Sequence, residues 1–340
     1  LLFCDLTNIY TQLLLFTTLW CGGIGFADDY IKVFKHNKEG MSERGKLILQ
    51  ILLGVIVGLT VCFNNDIVVR EKVNVAEASN GTTYLPQGSS DLDVDSETIV
   101  SSSGWKMENI VKSTKTTIPF VKNHEFDYKW LSPFQGAWGW YCKWAIYVLM
   151  IVIVITACSN GTNLTDGMDG LAAGSSAIVG IVIGIIAWLS GNLINSNYLN
   201  IMYIPGSGEV AVFMSIFVGA LFGFLWYNSY PAQVFMGDTG SLAIGGIIGV
   251  SAILIRKELL LPMLCGIFFV ESLSVLIQRF YFKYTRKRYG TGQRIFRMAP
   301  LHHHYQKIDI PAKIQWPSHP IPEAKIVTRF WLIGIILAVA

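Results

Sequence analysis

Long apolar runs separated by polar tracts dominate the chain. Eight runs approach the roughly 20 mostly apolar residues that a bilayer-crossing helix needs: 9–27, 47–63, 138–158, 171–189, 210–227, 240–255, 259–277 and 330–340. One buried core helix can imitate such a run, but eight in series predict an all-α, polytopic transmembrane helix bundle of about eight spans. The eighth is cut short at Ala340 and position 1 is not Met, so the sequence reads as clipped at both ends.

The polar tracts between the spans set the expected sidedness. The connection 28–46 carries Lys32, Lys35, Lys38, Arg44 and Lys46, and the tract 278–329 carries eleven Lys and Arg. Short connections rich in Lys and Arg stay in the cytoplasm. Parity then places 159–170 and 228–239 on the cytoplasmic side as well, with 64–137, 190–209 and 256–258 outside. The expected organisation is a single transmembrane domain over 1–340. It contains an extracytoplasmic polar insertion at 64–137 and a basic cytoplasmic loop at 278–329. The insertion is rich in Ser, Thr and Asn, and reads as a flexible loop with a short strand near 117–121 and no chemistry of its own.

Composition narrows the class further. Of 340 residues, 52% are hydrophobic and only 14% charged, with a mean hydropathy of +0.46. Soluble domains carry roughly 25% charged residues, so a soluble protein, a disordered chain and a small disulfide-stapled domain are excluded. The net charge of +3 gives no reason to expect a nucleic-acid partner. The six cysteines contain no C-x-x-C pair and mostly fall in apolar runs, as packing residues do.

Four polar motifs share the expected cytoplasmic face. Asp28-Asp29-Tyr30-Ile31-Lys32 places two adjacent carboxylates at the carboxyl end of a helix, where the dipole favours cations. A divalent cation or a general base suits such a pair, and solvated side chains neutralised by Lys32 are the plain alternative. In Asn163-Leu164-Thr165-Asp166-Gly167-Met168-Asp169-Gly170, Asp169 fits a helix N-cap. The loop before it suits close backbone approach to an anion, and its spacing is not that of an EF-hand.

Phe235-Met236-Gly237-Asp238-Thr239-Gly240-Ser241 repeats the pattern of an acid flanked by glycines before a helix. Asp238 reads as an N-cap or, beside Asp28 and Asp29, as an oxygen ligand for Mg²⁺. In Met298-Ala299-Pro300-Leu301-His302-His303-His304-Tyr305, consecutive histidines rarely chelate one ion, so phosphate binding or proton transfer fits better than a soft-metal site. Glu271, inside a span, is a functional candidate without a partner legible in the sequence. The four motifs together predict Mg²⁺-assisted phosphoryl transfer between a soluble phosphate-bearing donor and a membrane-borne phosphate.

In order, spacing and shared face, these motifs resemble the polyprenyl-phosphate hexosamine-1-phosphate transferases. The likeness runs over almost the whole chain apart from 64–137, and is greatest to the branch whose donor is UDP-N-acetylmuramoyl-pentapeptide. It implies transfer to undecaprenyl phosphate, giving lipid I and UMP in peptidoglycan synthesis at the bacterial inner membrane.

By that resemblance Asp28 binds or deprotonates the lipid phosphate, Asp29 supports it, and Asp238 ligates Mg²⁺. Lys32 and Lys46 neutralise phosphates. Asn163, Asp166, Gly167, Met168, Asp169, Asn228, Phe235 and Gly237 surround the uridine diphosphate. His302, His303 and His304 contact donor phosphate or sugar, with His303 counted among the catalytic groups. Direct attack and a covalent Asp intermediate both stay open, and a homodimer is expected from the resemblance alone.

The family has ten spans, so two and part of another are expected to be missing here. Tyr305-Gln306 replaces the usual Phe-Glu, and a Pro-rich stretch extends to Ala324. The competing readings are N-acetylglucosamine-1-phosphate transfer to the same lipid and, in another class, a cation transporter. Transporters place their acids near the midplane, often within inverted repeats; here the acids lie at one face and no repeat is visible.

Overall fold

The computed structural model describes residues 3–35, 40–72, 108–119, 125–134 and 136–340. Its helices are α1 (Ile9–Phe34), α2 (Glu43–Phe63), α3 (Gly136–Thr165), α4 (Leu171–Ser190), α5 (Leu193–Tyr198), α6 (Ser207–Asn228), α7 (Gly237–Leu254), α8 (Leu261–Leu264), α9 (Gly266–Tyr289), α10 (Leu301–Gln306) and α11 (Glu323–Val339). Six of them (α1, α2, α3, α4, α6 and α7) are long and apolar enough to cross a membrane. The protein is a multi-pass helical membrane protein.

The seventh expected span is not one straight helix. Its two parts, Glu258–Leu264 and Gly266–Tyr289, meet at 78°. Pro262 and Gly266 bracket this break, and both residue types interrupt helices. Beyond the bend, α9 runs on to Tyr289 instead of stopping at 277, ending at Gly290 with Arg286, Lys287 and Arg288 in its last turn. Cations there complement the helix dipole. The last apolar run is also longer than its hydrophobic core suggested, because α11 begins at Glu323. At 17 residues it falls just short of the length of the other candidate spans.

Helix α7 is the centre of the bundle, with every residue from Ser241 to Leu254 buried except Ala243. Small residues let its neighbours come close. A side chain on Gly245 would strike the backbone of Cys158 and Ser159 in α3, and one on Gly246 would meet Cys21 in α1 at 2.7 Å. At the end of α1, Gly25 abuts the Asp238 carbonyl. Backbone approach at small residues is how membrane helices gain van der Waals contact. Here it draws the ends of α1, α3 and α7 together.

The described residues of the tract 64–137 form two small sheets on an otherwise helical protein. Strands β1 (Val69–Lys72) and β2 (Glu108–Val111) pair antiparallel, as do β3 (Lys115–Thr117) and β4 (Glu125–Asp127). The expected strand near 117–121 lies slightly earlier; positions 120 and 121, like 73–107, fall outside the described residues. The sheets are anchored from below. Thr117 N–H and the Thr116 hydroxyl both donate to the Arg256 carbonyl at 3.0 Å, and Lys257 donates to the Thr117 hydroxyl at 2.6 Å. Burial pulls the Lys257 ammonium down to about 8. The turn 256–258, expected on the same side as the tract 64–137, is buried against it.

Candidate active site

Four helix ends converge opposite that turn. Asp28 and Asp29 occupy the last turns of α1, Lys46 the first turn of α2, Asn163 the last turn of α3 and Asp238 the first turn of α7. Carboxylate oxygens of Asp28, Asp29 and Asp238 lie within 4.8 Å of one another.

Two lysines hold this acidic centre together. Asp28 Oδ2 lies 2.5 Å from Lys32 Nζ and 2.9 Å from Lys46 Nζ. The same ammonium groups reach Asp238 Oδ2 at 3.1 and 2.7 Å. Asp28 is fully buried, and its other oxygen accepts from Met41 N–H at 2.6 Å. Asp238 Oδ1 accepts from the Asn163 amide at 2.9 Å, and that amide also donates to Ser241 Oγ. A buried carboxylate persists only when paired: Asp28 Oδ1 and both Asp238 oxygens accept hydrogen bonds, and Asp28 Oδ2 is balanced by the two ammonium charges.

Asp29 does a different job. Its carboxylate accepts from Thr239 N–H at 3.0 Å, Thr239 Oγ1 at 2.7 Å and Asp238 N–H at 3.4 Å. The first N–H groups of a helix lack internal partners. Met236, the residue at the N-cap of α7, supplies no side-chain bond, so Asp29 caps α7 from α1. Asp238 is therefore not the N-cap; it stands inside the first turn with its carboxylate free for the centre. Gly237 holds a left-handed φ of 65°, and a Cβ there would press on Asp29 Oδ2 at 2.9 Å.

The loop between α3 and α4 forms the next layer. Burial, reinforced by Asp238 and Asp29, pushes the Asp166 carboxyl up to about 6. Asp169 is not a helix cap: Gly170, at φ 78°, occupies that position, and Asp169 Oδ2 accepts from Ala232 N–H at 2.9 Å. Asn228 at the end of α6 accepts from Gly170 N–H and donates to the Val234 carbonyl. Met168 is buried in the core, and the Phe235 ring is 76% exposed.

The histidines border the same loop. Gly167 sits directly against the His302 ring, with no room for a side chain. His302 is fully buried, and its partner is Glu271: the His302 N–H donates to Oε1 at 3.1 Å, and Nδ1 lies 3.3 Å from Oε2. The His303 ring stacks obliquely on His302 with centroids 4.2 Å apart. Burial and the His302 ring hold His303 below the usual imidazole range. His304 turns the other way, accepting from Arg297 N–H through Nδ1 at 3.1 Å.

Sequence reasoning put the acids, the lysines and Asn163 on one face, with Asn163 assigned to the donor nucleotide; the structure brings Asn163 to Asp238. That reasoning did not find the Met41 N–H or Ser241, which touch the centre, nor Glu323, which accepts from Asp169 N–H. Ser241 alone lay within a recognised motif. Lys38, expected among the basic residues here, lies outside the described residues.

The model of glycosyl transferase family 4 matches residues 107–256. The phospho-N-acetylmuramoyl-pentapeptide-transferase of Parabacteroides distasonis is 54% identical over all of this chain and 77% of its own length. The proteins of the same name from Flavobacterium psychrophilum and Porphyromonas gingivalis are 53% and 51% identical, over 100% and 99% of this chain and 76% and 77% of theirs. Full-chain identity at this level, with a centre of carboxylates, lysines and an amide at converging helix ends, places the chain in the phospho-N-acetylmuramoyl-pentapeptide-transferase family.

Proposed function

We propose that the protein transfers phospho-N-acetylmuramoyl-pentapeptide from its UDP carrier to undecaprenyl phosphate, producing lipid I and UMP. The reaction takes place at the cytoplasmic face of the bacterial inner membrane, and the sheets over 64–137 lie on the opposite face. An oxygen of the lipid phosphate becomes bonded to the sugar-bearing phosphorus of the donor. The bond from that phosphorus to UMP breaks, and UMP leaves with the electron pair.

The observation that carries this reading is the pair of carboxylates, Asp28 and Asp238, bridged by the two ammonium groups of Lys32 and Lys46. Such a centre offers cations to phosphates and hard oxygens to a divalent ion, which is what a reaction between two anions requires. Asp28 receives the lipid phosphate, and Lys32 and Lys46 shift toward phosphate oxygens as charge accumulates. Asn163 and Thr239 keep Asp238 and Asp29 in place. The donor nucleotide lies along Asp166–Asp169, Asn228 and Phe235, and the histidines face its phosphates.

The donor set of Asp28, Asp29 and Asp238 fits Mg²⁺, which is bound by oxygens and usually by few carboxylates. Asp238 would hold the ion, which supplies charge neutralisation to the phosphates when bound. The full-length protein, given Mg²⁺ and both substrates, should form radiolabelled lipid I, and Asp238→Asn should form none at any Mg²⁺ concentration. Substantial product from Asp238→Asn removes Asp238 from the centre.

A further inference from the structure

The donor loop and the histidine helix are joined by a side chain from a third element. Glu323 is the first residue of α11, and its carboxylate is shared between two donors. Oε1 accepts from Asp169 N–H at 2.9 Å, and Oε2 accepts from the Gln306 amide at 3.4 Å. The Gln306 side chain also stands next to His303, which lies one turn earlier on α10. His303 in turn borders the donor loop, since a Cβ on Gly167 would lie 3.2 Å from His303 Nε2. The contacts close a ring from Asp169 through Glu323, Gln306 and His303 back to Gly167.

The surroundings hold Glu323 in this position. Ile321 N–H donates to the Tyr305 carbonyl at 3.1 Å, tying the approach to α11 onto α10. Trp331, two turns further along α11, fills the space beside Gly174 in α4. α11 is therefore fixed to both elements that its Glu323 connects.

We propose that Glu323 is a positioning residue of the transferase, holding the donor loop through Asp169 and fixing the orientation of the His303 ring through Gln306. The inference rests on the function proposed above. Its chemical basis is the polarity of the chain of bonds. A carboxylate only accepts, so Gln306 must turn its NH₂ toward Glu323 and its carbonyl toward His303. In that orientation the Gln306 carbonyl is the group offered to a proton-bearing nitrogen of His303. A hydrogen-bonding partner of this kind selects which imidazole nitrogen carries the proton.

The test uses Glu323→Gln, Gln306→Glu and the double variant in the full-length protein. Their kcat, KM for donor and for lipid, pH profile and thermal midpoint are measured. Glu323→Gln places an NH₂ where an acceptor is needed and lowers donor kcat/KM about tenfold to a hundredfold, as small misplacements do, while the KM for lipid stays unchanged. Gln306→Glu sets two carboxylates face to face and is impaired as well. In the double variant the amide introduced at position 323 donates to the carboxylate introduced at position 306, whose second oxygen accepts from His303. Activity recovers above either single variant, and the pH limb belonging to His303 moves upward because a carboxylate now faces the ring.

Single variants within twofold of wild type overturn the proposal, as does a double variant no better than the singles. A loss matched only by a falling thermal midpoint, with no recovery in the double, assigns Glu323 to the fold alone and also overturns it. Wild-type UMP release tests the parent function separately, because the bridge is read from variants relative to wild type.

Discussion

Lys46 and Asp238 form an ion pair of 2.7 Å between α2 and α7, and the same ammonium reaches Asp28 of α1 at 2.9 Å. One side chain therefore neutralises two carboxylates on two other helices. Lys46→Met leaves both to Lys32 alone. The expected result is a fall in kcat of about a hundredfold or more, the usual scale for losing a charge-stabilising donor, measured as UMP release. Near-normal turnover would show that Lys46 serves only to hold the helices.

Asp29 caps α7 through Thr239 N–H and Oγ1, so it shapes the centre from a distance. Asp29→Ala removes that cap, at a cost of about 1 kcal/mol in helix stability, and lets Asp238 drift. The thermal midpoint should drop and the Mg²⁺ concentration for half-maximal activity should rise together. A variant with unchanged midpoint and unchanged Mg²⁺ dependence contradicts the capping role.

Asp166 gives a pH dependence with a definite sign. Its carboxyl is pushed from 3.8 up to about 6 in the folded protein, so the folded state binds the proton more tightly than the unfolded chain. The stability this contributes is present below about 4 and is lost as pH rises through about 6. Without Mg²⁺, Asp166→Asn should gain thermal midpoint relative to wild type between pH 4 and 7. A difference that is flat across this window contradicts the shift.

Glu271 fixes His302. With Oε2 3.3 Å from Nδ1 and Nε2 against Gly167, the carboxylate favours the tautomer that carries its proton on Nδ1. Glu271→Gln preserves the shape and reverses the preferred tautomer. The predicted outcome is an intact thermal midpoint with kcat lower by about a hundredfold or more, as when a histidine loses its orienting carboxylate. Turnover within twofold of wild type would remove His302 from the reaction.

Much of this architecture was legible in the sequence, because spans follow from local hydrophobicity and the shared face of alternate connections follows from their number. Parity alone brought Asp28, Lys46, Asn163 and Asp238 to one face. The bend at Cys265 was missed although Pro262 and Gly266 signalled it, since hydropathy averages over both. The capping roles were misassigned for another reason. Asp169 and Asp238 have the right residue type before a helix, but Asp169 is taken by Ala232 N–H and α7 is capped by Asp29 from α1. Glu271 and His302 stand 31 positions apart, and Glu323 and Asp169 stand 154 apart. No local pattern announces such pairs, which depend on how α9 and α11 settle against the loop.

The activity turns on the identity of the donor and the bond that breaks. Incubating the full-length protein with Mg²⁺, undecaprenyl phosphate and either UDP-N-acetylmuramoyl-pentapeptide or UDP-N-acetylglucosamine, and measuring UMP, tests it directly. UMP released with the first donor and not with the second is the predicted result. UMP released only with the second, or with neither, contradicts the account.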